Sequence, residues 1–61
     1  MANMLTTKEL TLLSDLLIYE ESAYKKAKLY SKTLTDQMLA EEFRGLAENH
    51  QRRYNSLLGL L

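Results

Sequence analysis

Each half of this chain carries an apolar stripe at helical spacing, and one ionisable residue interrupts each stripe. The interrupting residues are Glu20 and His50, and each lies 15 residues from the predicted turn near Thr35. A chain that folds back at this turn brings both residues to the same level. A buried carboxylate is costly unless it is paired, hydrogen-bonded or bound to a metal. The pattern therefore predicts that Glu20 and His50 meet at mid-height and that the carboxylate is compensated there. The remaining stripe residues are Leu10, Leu13, Leu17, Tyr24, Ala27 and Leu34, then Leu39, Phe43, Leu46, Tyr54, Leu57 and Leu61.

The composition favours helices throughout the chain. There is no proline and there are only two glycines, so few residues disfavour a helix. Leu, Lys, Glu and Ala, which favour helix formation, are abundant. Valine is absent and Ile18 is the single isoleucine, so β-branched strand formers are scarce. The absence of cysteine excludes disulfides and thiolate metal sites. An all-α fold is the expectation.

Capping signals divide the chain into two helices. Thr6 and Glu9 have the spacing of a capping box, which predicts a first helix from about residue 7 to 32. A turn is expected at about 33–36, with Asp36 as the second N-cap. The second helix is then expected over about 37–58. With 61 residues, the prediction is one antiparallel two-helix hairpin domain over 1–61.

The charge balance argues against several classes of partner. Lys plus Arg and Asp plus Glu both number 8, so nothing predicts binding to nucleic acid or to an anionic membrane. The sequence begins with neither the basic nor the apolar segment of a signal peptide. Its longest apolar run, 16–19, is too short to span a bilayer. Cytoplasmic synthesis without secretion is the expectation.

Both apolar stripes are wider than one helix–helix contact requires. Apolar patches left in water usually mark an interface, and a two-fold pairing of hairpins would bury them in a four-helix bundle. The sequence therefore predicts a homodimer with no stable monomer. The residues expected at its interface are Leu12, Leu16, Tyr19, Ala23, Tyr30, Ala40, Ala47 and Leu58.

Three arrangements of the Glu20–His50 pair are open from the residues alone. The first is a structural hydrogen bond, extended by a tyrosine, that needs no cofactor. In the second, a dimer gathers two Glu20 and two His50 side chains as ligands of one zinc or iron ion. In the third, Glu20 turns to the bundle edge and its carboxylate reaches water.

No motif predicts catalysis. Glu48 and His50 are two positions apart and point to different sides of a helix. There is no glycine-rich phosphate loop, and no nucleophile has a base beside it. No catalytic residue is therefore expected.

Two segments are similar to a known family. The run 5–17 followed by Glu20, and the stretch 43–58 around His50 and Gln51, resemble spore coat protein F-type, ferritin-like sequences. The resemblance implies half of a ferritin-like bundle, doubled by dimerisation, in or near the spore coat of a firmicute-type spore former. It also implies other coat proteins as partners.

The same resemblance bears on metal chemistry. Di-iron members of the wider superfamily carry a Glu on one helix and Glu-x-x-His on the next. Glu20 and His50 match two of these positions, but Ala47 stands where the iron-bridging Glu is expected. A second imidazole, expected three residues after the first, is replaced by Arg53. The resemblance thus implies a protein without di-iron oxidase chemistry.

Three functional hypotheses follow from the sequence. The leading one is a non-catalytic, homodimeric structural or interaction protein of spore-coat assembly. The alternative is a protein that binds iron or zinc through Glu20 and His50. A hairpin that binds the helices of another protein is the third, and the sequence does not separate it from the first.

Overall fold

Two helices joined by a short turn make up the fold. The computed structural model describes residues 4–61 and contains α1 (Thr7–Thr33) and α2 (Gln37–Leu58), with no strand in that range. The all-α prediction and the helical hairpin are confirmed for these residues. Neither helix is long and apolar enough to cross a membrane.

Side-chain caps fix where both helices begin. The Thr6 hydroxyl accepts a hydrogen bond from the Glu9 N–H at 3.1 Å, and the Glu9 carboxylate accepts one from the Thr6 N–H at 2.9 Å. The Asp36 carboxylate accepts the Leu39 N–H at 2.8 Å. Because these donors have no partner inside the helix, the caps satisfy them. Both predicted N-caps are confirmed, and α1 ends at Thr33, within one residue of the prediction.

The core is a thin line of residues between the helices, which we call the seam. Its buried members are Leu13, Glu20 and Ala27 on α1 and Ala47 on α2. These include the only three buried apolar side chains among residues 4–61. Chains of this size usually need further support from a disulfide, a metal or an oligomer.

The hairpin is a flat rod with two broad faces. Its Cα atoms extend over 46 × 16 × 10 Å, so the side chains that flank the seam have solvent close by. Along α1, residues that precede a seam position, such as Leu12 and Tyr19, lie on one face. Residues that follow a seam position, such as Glu21 and Lys28, lie on the other. The two faces differ sharply in chemistry.

Candidate functional site

A cluster of three ionisable side chains occupies the middle of the seam. His50 Nδ1 lies 2.6 Å from Glu20 Oε1, and Arg53 Nε donates to Glu20 Oε2 at 3.1 Å. Glu20 comes from the midpoint of α1, whereas His50 and Arg53 are one turn apart on α2. The predicted meeting of Glu20 and His50 is confirmed, and both carboxylate oxygens have a partner.

The geometry assigns the proton on the imidazole. A separation of 2.6 Å between Glu20 Oε1 and His50 Nδ1 requires Nδ1 to carry hydrogen and to donate it to the carboxylate. Arg53 Nη2 lies 3.0 Å from the same nitrogen, but a protonated Nδ1 has no lone pair to accept from it. Arg53 therefore acts on Glu20, and His50 Nε2 is left as the open position of the ring.

The cluster holds Glu20 in its charged form. The hydrogen bond from His50 is the largest influence and lowers the pKa of the Glu20 carboxyl below its ordinary value of 4.5. Burial opposes this by raising the pKa, while the hydrogen bond and the positive charge of Arg53 lower it further. Because the charged form is favoured overall, the folded protein holds Glu20 as a carboxylate.

The open side of His50 faces a groove. The His50 side chain is 14 % exposed, its ring meets that of Tyr19 edge-on at 6.2 Å, and both rings line a groove with Ala23 and Leu46. Within residues 4–61, the hydrogen bonds of His50 involve Nδ1 alone. Nε2 thus has no partner from the described part of its own chain, at the centre of one broad face.

Within one chain, Glu20 and His50 are directed at each other. Glu20 accepts from two donors and His50 Nδ1 points its hydrogen at Glu20, so a metal bound by Glu20 and by His50 Nδ1 would have to displace this hydrogen bond. The described residues contain no group of three or more His, Cys, Asp or Glu side chains arranged to hold an ion. His50 Nε2 is the ring nitrogen left open to a ligand.

The face that carries His50 is predominantly apolar, and we call it the apolar face. Several of its side chains are 42–59 % exposed, including Leu12, Leu16 and Tyr30. The ring of Tyr30 meets that of Phe43 edge-on at 5.4 Å. The residues of this face are Leu12, Leu16, Tyr19, Ala23 and Tyr30 on α1, with Phe43, Leu46, Leu57 and Leu60 opposite them.

The residues predicted at the dimer interface lie on different sides of the hairpin. All five positions expected from α1 lie on the apolar face. Of those expected from the second helix, Ala47 is only 5 % exposed within the single chain and lines a groove with Tyr24 and Gln51. Ala40 and Leu58 share its stripe at helical spacing, so they lie towards the same side. The contribution of α2 to the apolar face is instead Phe43, Leu46 and Leu57.

The opposite face is polar. Lys28 Nζ donates to the Tyr24 hydroxyl at 3.0 Å, and Lys25 lies 3.6 Å from Glu21. These contacts leave the charged groups in water, where they need no further protein partner. The residues of this polar face are Glu21, Tyr24, Lys25, Lys28, Arg44, Glu48, Gln51 and Asn55.

Arg53 is the member of the central cluster that sequence reasoning missed. The family resemblance identifies this position only as one where Arg53 replaces an imidazole. The signal was present, because residues three apart on a helix are neighbours and Arg53 follows His50 by three. Its long side chain reaches back over His50 to Glu20.

Comparison with family models, with curated proteins and with solved structures gave no match. The geometry of this chain is therefore the basis for the functional argument that follows.

Proposed function

We propose that the chain is a non-catalytic structural protein that acts as a homodimer, with two apolar faces packed together in a four-helix bundle. The observation that carries the proposal is the one-sided surface of the hairpin. Many of its exposed apolar residues form one continuous face, with Leu12, Leu16 and Leu46 each more than 40 % exposed. A patch of this kind usually marks an interface.

The broad side of the hairpin is large enough for a dimer interface. The broad side of the hairpin measures 46 × 16 Å between Cα atoms, or about 700 Å². Stable interfaces bury roughly 800 Å² per partner. A second hairpin would also cover the flanks of a core that contains three buried apolar residues among those described. Dimerisation thus supplies the support that so small a seam needs.

The Glu20–His50–Arg53 cluster fits this structural role. A satisfied polar group in a core fixes which residues face each other, because any shift of register leaves it unpaired. The hydrogen bonds of Glu20 are complete within the single chain. The cluster therefore sets the register of α1 against α2 without a substrate or a cofactor.

The biological setting of this proposal comes from the resemblance alone. Spore coat protein F-type, ferritin-like sequences suggest assembly of the spore coat, with other coat proteins as further partners. The alternative function, iron or zinc binding, has one supporting observation, which is the unpartnered His50 Nε2.

A matched pair of substitutions tests the dimer. Leu16 lies on the apolar face, whereas Ile18 lies on the outer side of α1, and both are largely exposed. Leu16→Glu would place an unpaired charge in the interface and weaken the dimer by at least about 100-fold. Ile18→Glu should leave it unchanged. Equal effects of the two substitutions on the sedimentation-derived dissociation constant would contradict the proposal.

A further inference from the structure

A row of residues borders the apolar face on each helix, and we call these two rows the rims. Each rim has a charged residue at both ends. On α1 the rim runs Asp15, Tyr19, Ser22 and Lys26, and on α2 it runs Glu42, Leu46, Asn49 and Arg53. Lys26 and Glu42 line grooves with Tyr19 and with Leu46, respectively. Each rim has the same spacing, begins with an acid and ends with a base 11 residues later.

Most of the charge on the rims is unpaired within one chain. Among residues 4–61, Asp15, Lys26 and Glu42 take part in no ion pair, and Arg53 bonds only to the central cluster. The two rims lie on opposite edges of a hairpin 16 Å wide, so they do not neutralise each other. A partner that covers the apolar face would meet three charges without an ion-pair partner, together with Arg53, whose charge is shared with Glu20.

A second copy of this chain matches that pattern. Since α1 and α2 are antiparallel, the Asp15 end of one rim lies level with the Arg53 end of the other, within about two residues or 3 Å. When two copies stack face to face with antiparallel helices, every acidic rim position meets a basic one. Such self-complementarity is what a two-fold interface requires.

Two stacking modes satisfy the rims equally well. In the aligned dimer, the two turns lie at the same end and α1 covers the partner's α2. Asp15 then meets the partner's Arg53, and Lys26 meets the partner's Glu42. In the reversed dimer, the turns lie at opposite ends, α1 covers the partner's α1 and α2 covers the partner's α2. Asp15 then meets the partner's Lys26, and Glu42 meets the partner's Arg53.

The central imidazole distinguishes the two modes. In the reversed dimer, the pairing of Glu42 with the partner's Arg53 places His50 level with the partner's Gly45, which has no side chain to donate to Nε2. The two His50 positions are then five residues, or about 7.5 Å, apart along the helix axis. In the aligned dimer His50 lies instead over the partner's α1 at the level of Tyr19, whose hydroxyl has no hydrogen bond among the described residues. That hydroxyl can donate to Nε2.

From this we infer an aligned homodimer in which Lys26 pairs with the partner's Glu42 and the partner's Tyr19 donates to His50 Nε2. The inference rests on the proposed homodimer and adds its orientation, its rim pairs and its central hydrogen bond. The partner thereby completes a polar site that one chain leaves half satisfied.

Two double variants of equal net charge test the orientation. Lys26→Glu alone should weaken the dimer about tenfold, since it creates repulsion in either mode. Adding Glu42→Lys should restore the dissociation constant in the aligned dimer, because Glu and Lys have exchanged places across the interface. Adding Asp15→Lys instead should weaken it further, since it opposes the partner's Arg53.

The outcomes separate the orientation from the dimer itself. Recovery with Asp15→Lys but not with Glu42→Lys would establish the reversed dimer and overturn the inference. A dissociation constant that is unchanged by all three substitutions would also overturn the inference, but the proposed homodimer would stand. A wild-type monomer at low salt would refute the proposed function and the inference with it.

The central hydrogen bond has its own test. Tyr19→Phe keeps the ring and removes the hydroxyl, and we expect it to weaken the aligned dimer about threefold to tenfold. Tyr24→Phe on the polar face is the matched control and should have no effect on dimerisation. An unchanged dissociation constant in Tyr19→Phe, or an equal loss of affinity in Tyr24→Phe, would argue against the contact.

Discussion

The two broad faces of this hairpin share one seam but have opposite surface chemistry. On the polar face, Lys28 and Lys25 find partners on their own helix, at Tyr24 and Glu21. On the apolar face, exposed Leu and Tyr side chains surround an imidazole with an open nitrogen. The polar groups of one face thus have partners within a single chain, whereas the other face exposes apolar surface that the proposed second copy would cover.

The central cluster combines a feature of each face, since Glu20 has its partners within the chain whereas His50 Nε2 has none among the described residues. Glu20 is satisfied within the chain, by His50 at 2.6 Å and Arg53 at 3.1 Å, so α1 and α2 hold their register without help. His50 then presents Nε2 towards the apolar face. The cluster thus connects the packing of α1 against α2 to the face that we propose binds a second copy.

Truncating an aromatic ring on each face should produce the largest contrast. Phe43 packs edge-on against Tyr30 on the apolar face, and a second copy would bury it fully. We expect Phe43→Ala to lower the free energy of unfolding by about 3 kcal/mol. Tyr24→Ala, on the polar face, should cost only about 1 kcal/mol, because the ring is only partly buried in the single chain and no second copy would cover it. Urea denaturation at one protein concentration compares them, and equal losses would remove the distinction between the faces.

Acid should weaken the seam through Glu20. The pKa of this carboxyl is lowered in the folded state, first by His50, so the unfolded chain binds a proton more readily. The stabilisation is complete above about pH 4.5 and is lost as the pH falls through the lower, folded-state pKa. Glu20→Gln should lack this component of the acid transition. If wild type and Glu20→Gln lost stability in parallel between pH 5 and 2, the cluster would not hold a charged Glu20.

The smallest expected effect on the free energy of unfolding comes from a substitution at Gly45, away from both faces. Gly45 is in the interior of α2, and a methyl group built there would meet nothing within 4 Å. Gly45→Ala should therefore raise the free energy of unfolding by up to about 1 kcal/mol, by reducing the backbone entropy lost on folding. Thermal unfolding and the dimer dissociation constant check this. A weaker dimer in this variant would mean that the partner lies against Gly45 and not only on the apolar face.

Local signals made the helices predictable. Thr6 with Glu9, and Asp36 alone, are capping signals that act over three residues, so the sequence contains all the information they need. The Glu20–His50 contact was also predictable, because helical periodicity and the position of the turn together determine which residues are level with each other.

The composition of the apolar face was predicted for α1 but not for α2. In an antiparallel pair, residues that precede a seam position share one face on both helices, as Tyr19 precedes Glu20 and Leu46 precedes Ala47. Ala47 was assigned to an exposed flank because an alanine is compatible with either place. The reach of Arg53 was missed for a different reason, since a long flexible side chain is not fixed by backbone periodicity.

The central claim is that the apolar face is covered by a second copy, and the mass of the chain in solution tests it most directly. Sedimentation equilibrium of the wild-type protein over a wide concentration range, with a parallel series of thermal unfolding curves, measures this association. We predict a particle of two 7.1-kDa chains whose midpoint temperature rises with protein concentration. A folded species of one chain, with a midpoint temperature independent of concentration, would contradict it.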